Sequence, residues 1–183
     1  MGITRPVDIG GSMHNPPLVI DSRQQRGKHN HKNKWFNEHG VETVTRCLDF
    51  GDYMVSASNI VIDTKKDVDE LSLDVGKDHA RFVREIDRAA ASGCRLVVLI
   101  EQHPEYNDRE KLRGWKGYVC RKCRRCDPNG GDRCATRKYT PMHGARLAKI
   151  LDKLEENHGA KFVFCSKSKS AQTICDMMGI PYD

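Results

Sequence analysis

The stretch Arg95-Leu-Val-Val-Leu-Ile-Glu101 constrains the fold of this chain more than any other. A short, uninterrupted apolar run between charged ends fits a strand covered on both faces and paired in parallel with its neighbours. Directly before it, Asp78 to Ala91 reads as an amphipathic helix, with Phe82, Ile86, Ala89 and Ala90 on one face and Gly93 as its stop. The same alternation runs along the chain. Leu18 to Asp21 reads as a short buried strand, Gln24 to Asn33 as a polar loop, and Lys34 to His39 as a short helix ended by Gly40. Val41 to Leu48 alternates like a strand. Asp49 to Asp52 is a turn, and Tyr53 to Ser56 pairs with Asn59 to Thr64 as a hairpin around Ala57-Ser58. Near the end, Gly144 to Asn157 is an amphipathic helix carrying Leu147, Ile150, Leu151 and Leu154. Lys161 to Cys165 is a buried strand, and Ser168 to Met178 a helix with Ser168 as N-cap. Strands alternating with helices predict an α/β chain, a three-layer α/β/α sandwich around a mixed sheet.

At 183 residues the length fits one domain. Residues 1–16, rich in Gly and Pro, read as a flexible leader, residues 17–183 as the domain, and 104–141 as an insertion rich in Cys and basic residues. No apolar run approaches the roughly 20 residues of a membrane span, and the N-terminus lacks the apolar core of a secretory signal. An intracellular, reducing compartment, cytoplasm or nucleoid with the nucleus left open, is therefore expected, with no membrane partner. The four cysteines outside the cluster (Cys47, Cys94, Cys165 and Cys175) then read as reduced thiols in apolar settings.

The formal charge of +6 is unevenly spread. Residues 109–138 hold eleven Lys and Arg against three acids, a net of +8, so the rest of the chain is mildly acidic. Such a patch suits a polyanion. Arg113, Lys116, Arg121, Lys122, Arg124 and Arg125 are the candidate nucleic-acid contacts, with Trp115, Tyr118 and Tyr139 either stacking on unpaired bases or packing on the loop's own small core. Within the same segment Cys120, Cys123, Cys126 and Cys134 follow a C-x2-C-x2-C-x7-C spacing. Four soft ligands in a short, Gly-punctuated loop fit tetrahedral structural Zn2+; an iron–sulfur cluster is the alternative. His103 and His143 flank the insertion and read as surface residues.

The chemistry sits elsewhere. In Leu48-Asp-Phe-Gly-Asp-Tyr-Met-Val-Ser-Ala-Ser-Asn-Ile-Val-Ile-Asp-Thr-Lys65, a turn acid is followed by a hairpin and an Asp-x-Lys on a strand. Asp63 and Lys65, two apart, share a strand face. Carboxylates that hold a divalent cation and an ammonium that offsets phosphate charge are what a metal-dependent phosphodiesterase requires. Asp21 ends an apolar run in the same style, and Glu101 closes another, so Asp21, Asp52, Asp63 and Glu101 are expected to converge at one edge of the sheet.

The order of these elements resembles the nuclease domain of the XPF family of structure-specific endonucleases, a branch of the PD-(D/E)xK superfamily. The likeness runs from Leu18 to about Gln102 and resumes, more weakly, from Gly144 to Ile180. Leu18-Val-Ile-Asp-Ser-Arg-Gln24 is similar to the family's opening strand with its Asp-x-Arg-Glu motif, and Gly51-Asp-Tyr53 to its Gly-Asp-Tyr turn. Asp63-Thr-Lys65 stands where the family has Glu-Arg-Lys, and Asp69 matches an acid a few residues on. Three residues depart from the pattern: Gln24 for Glu, Asp63 for Glu and Thr64 for Arg.

The resemblance implies a restriction-endonuclease-like fold with a metal-binding insertion. It also implies Mg2+ or Mn2+ held by Asp21, Asp52 and Asp63, Lys65 as catalytic lysine, and Arg23 beside the phosphate. The implied activity is a metal-dependent DNA endonuclease acting on branched or flap DNA, or on a single-strand/double-strand junction. The helix-hairpin-helix module with which family members often dimerise and bind branched DNA is expected to be missing, and a homodimer is left open. The rival readings are a catalytically inactive nucleic-acid-binding module that uses the zinc loop, favoured by Gln24, and a nuclease directed at RNA.

Overall fold

The computed structural model describes residues 16–25, 27–56, 58–102, 104–117 and 142–183. Among them the chain forms β1 (Leu18–Asp21), α1 (Asn30–Glu38), β2 (Thr43–Arg46), β3 (Tyr53–Met54), β4 (Ile60–Lys65), α2 (Val68–Gly76), α3 (His79–Ala91), β5 (Arg95–Glu101), α4 (Arg109–Leu112), α5 (Gly144–His158), β6 (Lys161–Cys165) and α6 (Ser170–Met178). One mixed sheet has the order β2-β1-β3-β4-β5-β6. Only the β1–β3 and β3–β4 pairs are antiparallel, while β1–β2, β4–β5 and β5–β6 are parallel. All strands except β3 therefore point the same way. Their carboxyl ends, together with the residue just before β3, share one edge of the sheet.

The two faces carry separate cores, which is the three-layer arrangement the alternation predicts. Val61, Leu96, Val98 and Ile100 pack with Val68, Leu71 and Val75 of α2, Phe82 and Ile86 of α3 and Leu147 and Leu151 of α5. On the other face Leu18, Ile20, Ile62, Val97 and Leu99 pack with Phe36 of α1 and with Ala171, Ile174 and Met178 of α6. The strand Arg95–Glu101 lies between two parallel neighbours, and every residue of it after Arg95 is buried.

Several local expectations change. The 24–33 loop is shorter than its polarity indicates, because α1 begins at Asn30, with Lys32 turned inward and buried. Residues 66–77, to which the sequence reading gave no element, contain α2 (Val68–Gly76). Asp67 accepts from the Glu70 amide at 2.8 Å as its N-cap, and Val68, Leu71 and Val75 recur at helical spacing. Ala90 is exposed, not on the buried face of α3. The last helix begins at Ser170 after a 3-10 turn over Lys167–Lys169, so Ser168 lies in that turn and does not cap α6. Strand β6 is only partly covered at the sheet edge. Of the four scattered thiols, Cys175 is buried, Cys94 and Cys165 are half-buried and Cys47 is exposed.

The start of the predicted insertion belongs to the body of the domain. Leu112 and Trp115 are buried in the α2/α3/α5 core, so Trp115 faces inward and does not present its ring to a ligand. The chain on either side of residues 118–141 is pinned at one point, where the Gly144 amide donates to Trp115 O at 2.7 Å. A Cβ at Gly144 would collide with Leu112 O and sit 2.8 Å from Trp115 N, so only glycine lets α5 start this close to the backbone after α4.

Candidate functional site

The turn before β3 is built for one backbone path. Gly51 has φ +69°, in the left-handed region, and a Cβ there would collide with Val61 Cγ1. The next residue, Asp52, is held through its backbone from both sides. Its amide donates to Ile62 O at 2.7 Å, and its carbonyl accepts from the Asp21 amide at 2.9 Å and from Gln24 Nε2 at 3.3 Å. Gln24, where the resembling family has a glutamate, thus spends its amide on fixing this turn. Thr64 does likewise: its amide (2.9 Å) and hydroxyl both donate to Asp52 Oδ2. Burial raises the Asp52 pKa, with the two Thr64 hydrogen bonds and Lys65 pulling the other way.

Asp63 and Lys65 project from β4 onto the same face as Val61, toward α2 and α3. Lys65 Nζ lies 2.7 Å from Asp63 Oδ2 and 2.7 Å from Asp74 Oδ2 on α2, and 5.7 Å from the centre of the Phe82 ring. The Asp63 contact is a buried ion pair, with both side chains 11% exposed. Burial pushes the Asp63 carboxyl up to about 6, against the pull of Lys65 and with the push of Asp52. For Lys65, burial acts to lower the pKa, but Asp63 and Asp74 outweigh it and keep the ammonium charged.

Asp21 caps the same edge in a different bonding environment. Its Oδ1 accepts from the Leu48 amide at 3.2 Å, and its carboxylate is gripped by Arg23, whose Nε lies 3.1 Å from Oδ2 and whose Nη2 also reaches Leu48 O. The Arg23 side chain remains 58% exposed, so the guanidinium is open to a further anion. Among the described residues, no three His, Cys, Asp or Glu side chains cluster closely enough to hold an ion. Mg2+ is commonly held by one or two carboxylates, with water and substrate phosphate completing its shell. The hard oxygen pair of Asp52 and Asp63, two carboxylates near enough for Asp52 to push the Asp63 pKa up, fits such an ion.

Glu101 does not join this group. It ends β5 on the opposite face, where Lys32 of α1 forms a buried ion pair with its Oε1 and His31 Nε2 stands 3.4 Å from Oε2. The strand register explains the split: Val98 and Ile100 face α2 and α3, so Glu101 faces α1 and α6 with Val97 and Leu99. Beside it His29 Nδ1 meets the buried Tyr53 hydroxyl at 2.9 Å. Asp74 is the site residue that sequence reasoning missed. Its signal was present, because Asp67-Val-Asp-Glu70 reads as a capping box and starts a helix.

Of the expected nucleic-acid contacts, Arg113 is exposed and 3.5 Å from Glu110, and Lys116 is exposed near the end of the described segment. Arg121, Lys122, Arg124 and Arg125, the ligands Cys120, Cys123, Cys126 and Cys134, and also His103, Tyr118 and Tyr139 lie outside the described residues. His143 is exposed at the start of α5.

A six-stranded mixed sheet with an acid–lysine edge defines an α/β domain of the XPF nuclease type in fold. Residues 20–177 match the ERCC4 domain, and the chain belongs to that family. Among solved structures it is similar to XPF from Aeropyrum pernix, at 17% identity and a TM-score of 0.55 over 89% of this chain. The match spans 65% of the Aeropyrum chain. No curated protein matches the sequence. Among the described residues no helix is long and apolar enough to cross a membrane.

Proposed function

We propose that this chain is a divalent-metal-dependent DNA endonuclease that hydrolyses a phosphodiester bond, with branched or flap DNA as its substrate class. The observation that carries the reading is Asp63: a buried carboxylate 2.7 Å from the buried Lys65 ammonium and close enough to Asp52 to feel its charge, the acid–lysine grouping that phosphodiester hydrolysis requires. Holding this carboxylate out of water beside a second one costs stability, and a bound cation offsets that cost. Asp52 and Asp63 would hold Mg2+ or Mn2+, with Asp21 as a further ligand once Arg23 turns to the phosphate. The ion, when bound, lowers the pKa of a coordinated water and offsets charge on the phosphate oxygens. Lys65, kept charged by its carboxylate neighbours, orients the attacking water and neutralises charge that develops on the phosphate. Arg23 binds a phosphate oxygen from the solvent side, and Thr64 keeps the Asp52 carboxylate aimed.

The basic segment that includes Arg113 and Lys116 would grip the DNA backbone, and Cys120, Cys123, Cys126 and Cys134 would hold Zn2+; the spacing and the +8 charge of residues 109–138 support this part of the reading. One observation favours a second reading, a binding module without catalysis: Asp21 is already engaged by Arg23 and by the Leu48 amide.

The test is cleavage of labelled flap, fork, four-way-junction and linear DNA in Mg2+, Mn2+ or EDTA, beside Asp63→Ala. Cation-dependent cutting that disappears in Asp63→Ala supports the nuclease. Binding without cutting, unchanged in Asp63→Ala, selects the binding module.

A further inference from the structure

A chain of side-chain contacts through α2 and α3 links the turn before Asp52 to the acid–lysine pair. Starting at the turn, the Gly51 amide donates to Glu85 Oε1 at 3.3 Å. Glu85 Oε2 stands 3.8 Å from Arg81 Nη1, and Arg81 Nη2 is 3.0 Å from Asp74 Oδ1. The other Asp74 oxygen is 2.7 Å from Lys65 Nζ, which returns the path to Asp63. Asp74 is only 8% exposed, yet it has no part in the phosphodiesterase chemistry described above.

We infer that Asp74 is a positioning residue for Lys65, anchored by Arg81, and that it keeps the ammonium in place when Asp63 turns its charge to a cation. In the metal-free arrangement Lys65 has two carboxylate tethers of equal length. A divalent ion on Asp63 removes most of the attraction of the first and adds repulsion toward Nζ. A lysine has a flexible four-carbon stem and three rotatable donors, so one tether lost and one repulsion gained would let it swing away. Asp74 sits on a different element from Asp63, and its second oxygen is held by Arg81, so its grip on Lys65 does not depend on what binds Asp63. Glu85 ties the same arginine to the amide just before Asp52, so one network sets the spacing between the Asp52 turn and Lys65.

The inference rests on the nuclease reading, and its test separates the two. In the full chain, Asp74→Asn keeps side-chain shape and removes the charge. Expected is a fall in kcat of about 10- to 100-fold, the cost of a misplaced catalytic group. KM for DNA and Mn2+ affinity by calorimetry on the metal-free protein should stay close to wild type. Independently of cleavage, Lys65 should become several-fold more reactive toward a water-soluble acylating ester in Mn2+, read by peptide mass spectrometry, while exposed lysines stay unchanged. Arg81→Gln, at a 57% exposed side chain, should shift kcat and labelling in the same direction by less, and decides the matter if Asp74→Asn fails to fold. Unchanged kcat and labelling in the folded variants overturn the positioning role, as does loss of Mn2+ affinity in step with kcat, which would make Asp74 a metal ligand. If the wild type cuts no DNA, the nuclease reading fails and the labelling alone decides whether Asp74 holds Lys65.

Discussion

The pair Lys32–Glu101 offers the sharpest test of the energetics. Its side chains are 2% and 4% exposed, and among the described residues the other ionisable group at ion-pair distance from the carboxylate is His31, 3.4 Å away and 29% exposed. Truncating one member leaves the other charge buried without its partner, which costs about 3–5 kcal/mol. In a domain of this size each kcal/mol moves Tm by about 2–4 °C, so Lys32→Met or Glu101→Gln should lower Tm by about 6–20 °C. Replacing both removes the desolvation cost together with the attraction. The double variant should therefore be more stable than either single one, with a coupling of about 1–3 kcal/mol in the cycle. His31 adds a pH signature. Its pKa is lowered first by burial, with Lys32 also contributing, while Glu101 raises it. Lys32→Met removes one lowering influence and leaves the carboxylate unpaired, so the folded variant binds a proton on His31 more readily. Its deficit should shrink at about pH 5.5 relative to about pH 8, because that stabilisation is present at low pH and lost as pH rises. Urea denaturation followed by circular dichroism measures all four proteins. Single variants within about 1 kcal/mol of wild type, or a double variant equal to the sum of the singles, would refute the buried-pair reasoning.

Three further expectations follow from the same structure. Burial, with Lys32 and Lys28, depresses His29 from 6.5 to about 4; the unfolded chain binds that proton first, so stability falls as pH drops through this window. His29→Gln should flatten the fall in a Tm-against-pH curve, and a curve parallel to wild type speaks against it. Asp63 has the opposite sign: burial raises it from 3.8 to about 6, the folded chain binds the proton first, and stability falls as pH rises through the window. Asp63→Asn should then stabilise the metal-free protein at about pH 7 by up to about 3 kcal/mol in urea, and Mn2+ binding by wild type should weaken below about pH 6 as protons compete; a less stable Asp63→Asn would contradict this. Gly51→Ala places a side chain at φ +69° against Val61. It should cost about 2–5 kcal/mol and lower cleavage through displacement of Asp52, whereas wild-type Tm and rate would show that the turn tolerates a side chain.

The sequence by itself determined the alternation of strands and helices, the buried strand Arg95–Glu101, and the carriage of Asp21, Asp52, Asp63 and Lys65 on strand ends and one turn. These are short-range properties: period, run length and turn chemistry act within a few residues. It also carried the start signal of α2, in Asp67-Val-Asp-Glu70, although helical residues such as Asp74 reveal a partner only once the helix has packed. The tertiary structure decided which charges meet. Glu101 resembled the other strand-end acids in sequence, but strand alternation put it on the opposite face with Lys32, a residue that polarity alone would leave in a loop. Trp115 read as a residue of the basic loop, and the packing of α4 on α5 made it core. Lys65 acquired Asp74 in the same way, through a contact between β4 and α2 that no local pattern encodes. Pairings of this kind depend on register and on which helix covers which face, and those follow from burying both faces of the sheet at once.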